Sequence, residues 1–457
     1  MAAIMLRHRS VLVVVCIVSL ATLWSCRLPK MCLYNQCNAD ITIAPLSQGS
    51  LDLSLPDAPF ISWPLARVCA ETKWAAGAVF VCDDNSGGVG NMRSYILTCV
   101  RYAVEAGVQG LVLPRLRTRS PSNLASIMQE HADFAYLFDE QHFRSHLAAA
   151  CPQLAVYNST SAIPGAAEPF RAEALTPHNL GRRGGCDQRE PNKHTAVFGD
   201  AFRAHVRATA AEFGLPPPSA AHPRAYRFTW GVQFDWPVAR DGPEFAATFG
   251  GLLRFRADIL ELARRTTGYM RQFAAQQQQQ QQQQQKLPLP VAATTAFAGM
   301  HLRTESDALG AWPRFENQSA AYVHQAAARG FGAAYLATGN ETEAQRLTAA
   351  AAAAGVAVAT KHMLLSEHAA DGQALGALTW DQQALVDFVV LLECDYFLGV
   401  SPSSFSINVA LKRHLKGEGL LTRPWRVGGE GDGRSWLVGS YEHYWKDWLF
   451  IYDSMWP

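Results

Sequence analysis

A chain of 457 residues with 49% apolar side chains has material for a large core divided over two domains. Its formal net charge of +1 excludes the basic field that draws a protein onto nucleic acid. Ten cysteines are present, Cys16 and Cys26 in or beside the first apolar stretch and eight beyond it. In an exported chain such a set suggests disulfides, but eight cysteines allow about a hundred pairings and the sequence selects none. Cys394, between a helical and a strand pattern, reads as a buried thiol.

At the N-terminus, Arg7, His8 and Arg9 precede an apolar run from Val11 to Trp24, broken only by Ser19 and Thr22. The run is short for a spanning helix. A cleaved signal peptide competes, although Leu23-Trp24-Ser25 is a poor cleavage site. The basic cluster ahead of the run favours a cytosolic tail with the rest translocated. The expected plan is a cytosolic tail over residues 1–9, a signal anchor over 10–26 and a stem over 27–70. Such a chain is a single-pass type II protein of the Golgi or endoplasmic reticulum membrane with a lumenal catalytic part. Three glycosylation sequons, at Asn158, Asn317 and Asn340, agree with lumenal exposure.

From Ala76 the pattern becomes regular. Ala78-Val79-Phe80-Val81 reads as a buried strand, and Tyr95, Ile96, Cys99, Val100, Ala103 and Val104 carry helical spacing. Leu111-Val112-Leu113-Pro114 is a second short strand, which completes a βαβ unit. Residues 170–225, rich in Pro, Arg, Gly and His, give no assignable pattern. A long helical pattern follows between Gly250 and Phe273, then ten glutamines, Gln276 to Gln285. That tract buries nothing, and either extends the helix or hangs as a loop.

The second half alternates. Strands are expected at Phe297–Arg303, Ala333–Ala337, Val356–Thr360 and Tyr396–Val400. Helices are expected at Ala320–Ala328, Glu341–Ala354, Trp380–Glu393 and Ser404–Lys412. Four strands alternating with four helices predict a doubly wound parallel sheet. The expected fold is therefore α/β, with two Rossmann-like domains facing a cleft. They occupy residues 71–275 and 291–457, with the glutamine-rich segment 276–290 between them.

Three features fall at the C-terminal edges of strands, where ligands bind in parallel sheets. The first is the turn Asn85-Ser86-Gly87-Gly88-Val89-Gly90-Asn91-Met92-Arg93, whose glycines and helix-start amides suit an anion. It has neither the dinucleotide G-x-G-x-x-G spacing nor a Walker lysine. The second is Ser401-Pro402-Ser403-Ser404-Phe405-Ser406, where hydroxyls stand beside another helix N-terminus, though serines also serve there as plain caps. The third is Arg303, ending the strand Ala296-Phe297-Ala298-Gly299-Met300-His301-Leu302-Arg303. A guanidinium fork donates two charge-assisted hydrogen bonds to a phosphate. An arginine so placed is otherwise solvated or paired with a carboxylate.

Taken in order, GGVGNMR followed by GLVLP, then AGMHLRTESD, then DYFLGVSPSSFS resemble the GDP-fucose O-fucosyltransferase superfamily. Phe138-Asp139-Glu140-Gln141-His142-Phe143 is similar to the family's segment after the early strands. The likeness covers roughly residues 76–160 and 290–415. It implies a GT-B fold, with GDP-fucose held mainly by the second domain, and a glycosyltransferase that inverts at the anomeric carbon. By the same resemblance Arg303 contacts the donor phosphates, and His301 supports it or touches the sugar. Asp307 is implied in donor binding, and Ser403, Ser404 and Phe405 in wrapping the diphosphate and nucleoside. Gly88, Gly90, Asn91 and, with them, Arg93 match the first-domain loop that faces the donor.

Some relatives carry a glutamate in that loop, whereas this chain has Val89, so the general base stays open between an acid elsewhere and the leaving phosphate. No metal cofactor is expected, since no Asp-x-Asp occurs in the second half and no H-E-x-x-H or Cys/His ligand spacing appears. The partners implied are the nucleotide-sugar donor, a protein or glycan acceptor, and the membrane through the N-terminal helix. Trp230, Trp236 and Trp312 are candidates to stack on sugar, though such residues are more often plain core or surface packing. Asn340, at a strand end near the cleft, is expected to be unmodified or to point outward. Two alternatives stay open: a different nucleotide sugar, and a catalytically silent relative that binds nucleotide sugar or glycan. A hydrolase is disfavoured by the lack of a G-x-S-x-G motif or a placed carboxylate pair.

As the bond to the sugar breaks, negative charge grows on the β-phosphate, which a fixed arginine stabilises more in the transition state than before it. Losing such a contact costs about 3 kcal/mol, on the order of a hundredfold in rate. Arg303→Ala is therefore expected to lose nearly all transfer while the protein still folds and is secreted; turnover within about threefold of wild type would remove Arg303 from the site.

Overall fold

The computed structural model describes residues 51–457 apart from 121, 124–125, 127–128, 167–170, 178–193, 285–294, 309, 311 and 417–431. The expected tail, signal anchor and first part of the stem, together with Cys32, Cys37 and Cys186, lie outside the described residues. No helix among the described residues is long and apolar enough to cross a membrane.

In chain order, α1 (Trp63–Glu71) leads into β1 (Ala75–Val81), α2 (Val89–Ala106) and β2 (Val108–Val112). A small antiparallel ribbon, β3 (Leu116–Arg117) with β4 (His131–Ala132), precedes α3 (Glu140–Ala150) and β5 (Ala155–Tyr157). Then come β6 (Ala172–Leu175), α4 (His194–Glu212), β7 (Arg224–Phe228), α5 (Pro243–Thr248) and the long α6 (Ala257–Gln284). The second half runs β8 (Ala298–His301), α7 (Phe315–Ala328), β9 (Ala333–Ala337), α8 (Glu341–Ala353) and β10 (Ala357–Ala359). It continues through α9 (Lys361–Ser366), α10 (Ala369–Ala377), α11 (Trp380–Glu393), β11 (Tyr396–Val400) and α12 (Ser404–His414). Finally β12 (Ser435–Val438) precedes α13 (Phe450–Ser454).

The strands form two five-stranded parallel sheets, ordered β5-β2-β1-β7-β6 and β10-β9-β8-β11-β12. The expected α/β fold with parallel sheets is present. The continuous apolar runs explain why: β8, β9 and β11 are buried along their whole length, as strands covered on both faces must be. In the second sheet the order reverses between β8 and β11, the switch point where such folds open a crevice beyond the strand ends. Both β8, leading to Arg303, and β11, leading to Ser403, deliver their loops there.

Helix ends are set locally. Thr379 and Gln382 form a reciprocal capping box at the start of α11. Gly107 ends α2 with φ 69°, and a Cβ there would lie 2.0 Å from the Lys73 carbonyl oxygen. Two disulfides staple the first sheet's lobe: Cys82–Cys99 joins the end of β1 to α2, and Cys69–Cys151 joins α1 to the end of α3. Cys394 is a free, buried thiol as expected.

Three expectations are corrected. Residues 51–70 are not all stem, because Leu65 and Cys69 of α1 are buried in the main core. The long helix α6, assigned to the first domain, packs instead against α9 and α11 beside the second sheet. The pattern read as helix from Gly250 begins as a 3-10 turn over Phe249–Leu252, and the α-helix proper runs on through the glutamines to Gln284. The segment 170–225, which gave no pattern, holds β6, α4 and β7.

The two sheets share one hydrophobic core. Phe138 stacks on Phe255, whose ring meets Phe388 edge-on, and Phe388 meets Phe405. Near that seam α2 and α12 touch at Gly90, where a Cβ would stand 2.8 Å from the Ser404 carbonyl carbon and oxygen. Three residues on, the buried Arg93 guanidinium donates to the carbonyls of Trp456 (2.6 Å), Gly250 (2.8 Å) and Pro457 (2.8 Å). It also reaches Asn408 Oδ1 at 3.4 Å. Burial lowers its pKa to about 10. The Trp456 ring, wedged against Phe245 and Phe249, completes this joint.

Hydrogen bonds to a charged group contribute about 1.5–3 kcal/mol each, and several are lost together in Arg93→Ala. That variant is expected to lower the melting temperature by many degrees without a selective effect on nucleotide affinity. An unchanged melting curve with lost nucleotide binding would return Arg93 to the donor site.

Candidate functional site

A cavity of about 930 Å³ opens at the ends of β8, β9 and β10 and is closed by α8, α9, α11 and residues of the first lobe. Its room comes from small side chains. Ala344, Thr348, Ala349 and Ala352 lie on one face of α8, so the helix leaves space where larger residues would fill it. Gly88, Val89 and Arg119 line it from the first lobe, and His301, Arg303, Glu305, Asp381 and Phe405 from the second.

Arg303 is held rigidly. Its backbone N–H donates to Gln318 Oε1 at 3.0 Å, and Gln318 Nε2 donates back to the Arg303 carbonyl at 3.0 Å. The guanidinium is paired twice, with Glu305 Oε2 at 2.6 Å and Asp307 Oδ1 at 2.8 Å, and lies 5.6 Å above the Trp312 ring. Burial opposes its charge, but the two carboxylates prevail and raise its pKa. Glu305 is fixed further by the N–H groups of Gly339 (2.7 Å) and Thr304 (3.1 Å). Despite burial, Arg303 holds the Glu305 carboxyl below its ordinary range, and Asp307 is held down by Arg303 and Arg119.

His301 is buried at the end of β8, with Nδ1 2.6 Å from Ser406 Oγ and its ring 4.4 Å from that of Phe405. Val400 N–H donates to the same Ser406 oxygen at 3.1 Å, which leaves the hydroxyl hydrogen available to the imidazole. Burial pushes the His301 pKa down to about 4, so the ring is neutral at physiological pH.

The expected donor residues thus divide. Gly88, His301, Arg303 and Phe405 line the cavity, and Asp307 touches it through its two arginines. Gly90 serves the contact between α2 and α12, while the half-buried Asn91 packs beside Gly87. Ser403 occupies the N-cap position of α12 without a side-chain cap bond and Ser404 follows it; neither lines the cavity, although the next residue, Phe405, does. Arg93 does not face the cavity: its guanidinium is committed to the carbonyls described above. Of the aromatic candidates, Trp236 is fully buried with Nε1 bonded to Asp241, so it is core and not a sugar platform. Trp312 stays near Arg303, and the side chain of Trp230 lies outside the described residues. Asn340 is half-buried and caps α8 through Glu343 N–H.

Several lining residues were not foreseen. Arg119 belongs to the alternating series Arg115, Arg117, Arg119 after β2, a period-two pattern that marks a strand-like arm. Its guanidinium pairs with Asp307 Oδ2 at 2.6 Å and lies 5.3 Å from the Trp380 ring, and its backbone N–H donates to Asp381 Oδ2 at 2.9 Å. Asp381, at the start of α11, also accepts at Oδ2 from the Tyr136 hydroxyl at 3.4 Å. Burial raises its carboxyl from 3.8 to about 6, against the Arg119 N–H and charge. On the far wall, Lys361 Nζ pairs with Asp387 at 2.6 Å, and the Tyr335 hydroxyl donates to the same carboxylate at 2.7 Å. Among the described residues no group of three or more His, Cys, Asp or Glu side chains is placed to hold a metal ion.

A family model for GDP-fucose protein O-fucosyltransferase matches residues 79–416. Among solved structures, POFUT1 in complex with GDP is similar at 14% identity and a TM-score of 0.46, over 80% of this chain and 99% of that one. A variant of Arabidopsis thaliana FUT1 in complex with GDP is similar at 11% identity and 0.35, over 77% and 71% of the two chains. The fucosyltransferase NodZ from Bradyrhizobium gives 14% and 0.34, over 73% and 91%. No curated protein sequence matches the chain.

A carboxyl whose pKa is raised on folding contributes stability that is complete below its unfolded pKa and lost as pH rises through its folded one. For Asp381 that window runs from 3.8 to about 6. At about 1.4 kcal/mol per pKa unit the loss is on the order of 3 kcal/mol at neutral pH. Asp381→Asn, whose amide oxygen still accepts from Arg119, is expected to melt at a higher temperature than wild type at pH 8 and at an equal one at pH 3.5. A gain that does not change with pH would assign it to packing.

Proposed function

The chain belongs to the GDP-fucose protein O-fucosyltransferase family, and we propose that it transfers fucose from GDP-fucose to a hydroxyl of a secretory-pathway protein or glycan. The observation that carries this reading is the position of Arg303, locked in place at the switch-point cavity beside the N-terminus of α2. In this reading the acceptor oxygen attacks the anomeric carbon from the face opposite the diphosphate and inverts it. The carbon–oxygen bond to the β-phosphate breaks, and its electron pair leaves with GDP. Arg303, with His301 as a neutral neighbour, holds the departing oxygens, and the helix amides at Gly88 and Val89 add to the positive field. With that charge supplied by protein groups, the transfer proceeds without a metal ion.

The proton of the acceptor needs a destination. Glu305 and Asp307 are poor bases, since their arginines hold them ionised. Asp381 is better matched: it lines the cavity, and burial raises its carboxyl to about 6. The far wall of Lys361 and Asp387, with Tyr335 buttressing the carboxylate from behind, suits a nucleobase edge. A lumenal address on a single-pass anchor is part of the same reading. The basic and apolar N-terminal pattern supports it, as do two disulfides of the kind kept in oxidising compartments.

Titration of the purified protein with GDP-fucose, GDP-mannose and UDP-sugars tests the assignment. Selective binding of GDP-fucose, with slow release of free fucose that persists in excess chelator, is the expected result. Preference for another nucleotide sugar would change the donor, and loss of turnover on chelation would overturn the metal-free mechanism.

A further inference from the structure

Arg119 comes from the first lobe, yet its guanidinium stands beside Arg303 of the second, because both hold the same carboxylate. Asp307 Oδ1 pairs with the Arg303 guanidinium at 2.8 Å, and Oδ2 accepts from Arg119 at 2.6 Å. Two cations that share one carboxylate are spaced to share one phosphate, since each group presents a pair of anionic oxygens on a single central atom. Arg119 is also braced from two sides, since Asp381 accepts its backbone N–H and its guanidinium lies near the Trp380 ring.

The two acids beside Arg303 differ in how firmly they are held. Glu305 is tied down by backbone amides as well as by Arg303, so it serves as a fixed orienting partner. Asp307 is the more exposed carboxylate, and its side chain pairs with both arginines. We propose that Arg119 is a second ligand of the donor's β-phosphate and that Asp307 holds the two guanidiniums at phosphate spacing until that phosphate displaces it. The proposal rests on the cavity being the GDP-fucose site. It implies that the donor is gripped from both lobes at once and that the first lobe contributes charge as well as shape.

Calorimetric titration of the full-length protein with GDP and with GMP separates the possibilities, because GMP lacks the β-phosphate. A charge-assisted contact is worth about tenfold to a hundredfold in affinity. Arg119→Gln is expected to weaken GDP binding by that factor and leave GMP within about threefold of wild type, with Arg119→Lys in between. Asp307→Asn is expected to bind GDP at least as tightly as wild type. Equal GDP affinity in wild type and Arg119→Gln would overturn the proposal while leaving the donor site standing. So would parallel losses for GDP and GMP, which would mark Arg119 as structural, and so would a tenfold loss in Asp307→Asn. Failure of the wild type to bind either nucleotide would overturn the reading of the cavity, and this proposal with it.

Discussion

Where Gly90 of α2 meets the Ser404–Phe405 peptide of α12, two helices approach so closely that no side chain fits between them. Each helix follows a strand end, one in each sheet, so this single contact brings the two sheet edges to a common crevice. The positive ends of both helix dipoles point into the same region, and Gly88 and Phe405 on either side of the contact line the cavity. The Arg93 joint and the phenylalanine series behind it resist separation of the lobes. The cavity is therefore a property of the join and not of either sheet alone.

Charge in the cavity is organised by how firmly each group is held. The acids next to Arg303 are ionised and fixed, which keeps the guanidinium oriented. His301 is kept neutral by burial, so it adds a hydrogen-bonding edge without a competing charge. Asp381 is the exception: burial works against its charge, and its counter-cation is engaged elsewhere. A destabilised carboxylate beside a binding cavity is the pattern expected where stability is given up for chemistry.

Much of this was legible in the chain, for identifiable reasons. β9, α11 and β11 run to the residue where periodicity and apolar continuity placed them, because each is buried along most of its length. β6 and β7 were hidden because they are short and carry charged residues such as Glu173, Arg224 and Arg227. Arg303 could be placed from its strand end, and its acids lie two and four residues on. Arg119 and Asp381 could not be paired, since 262 positions separate them and their contact exists only after the lobes close. Arg93 was grouped with the donor loop by the resemblance of that loop, but about 100° of helix rotation per residue carries it about 140° away from Gly88, toward the joint and off the cavity.

The glutamine run illustrates a different kind of robustness. Within α6, Gln281 donates its amide to the Gly355 carbonyl at 2.9 Å, so one point of the run touches the second lobe. In a mixed sequence, adding a residue upstream would rotate a foreign side chain into that contact. In a homopolymer an insertion has no address, because the residue arriving at each helical position is the same as the one displaced. The α6 anchor to Gly355 thus tolerates changes in repeat length, and while at least six glutamines remain, gain or loss of glutamine codons changes the reach of the helix but leaves an amide at the docking position.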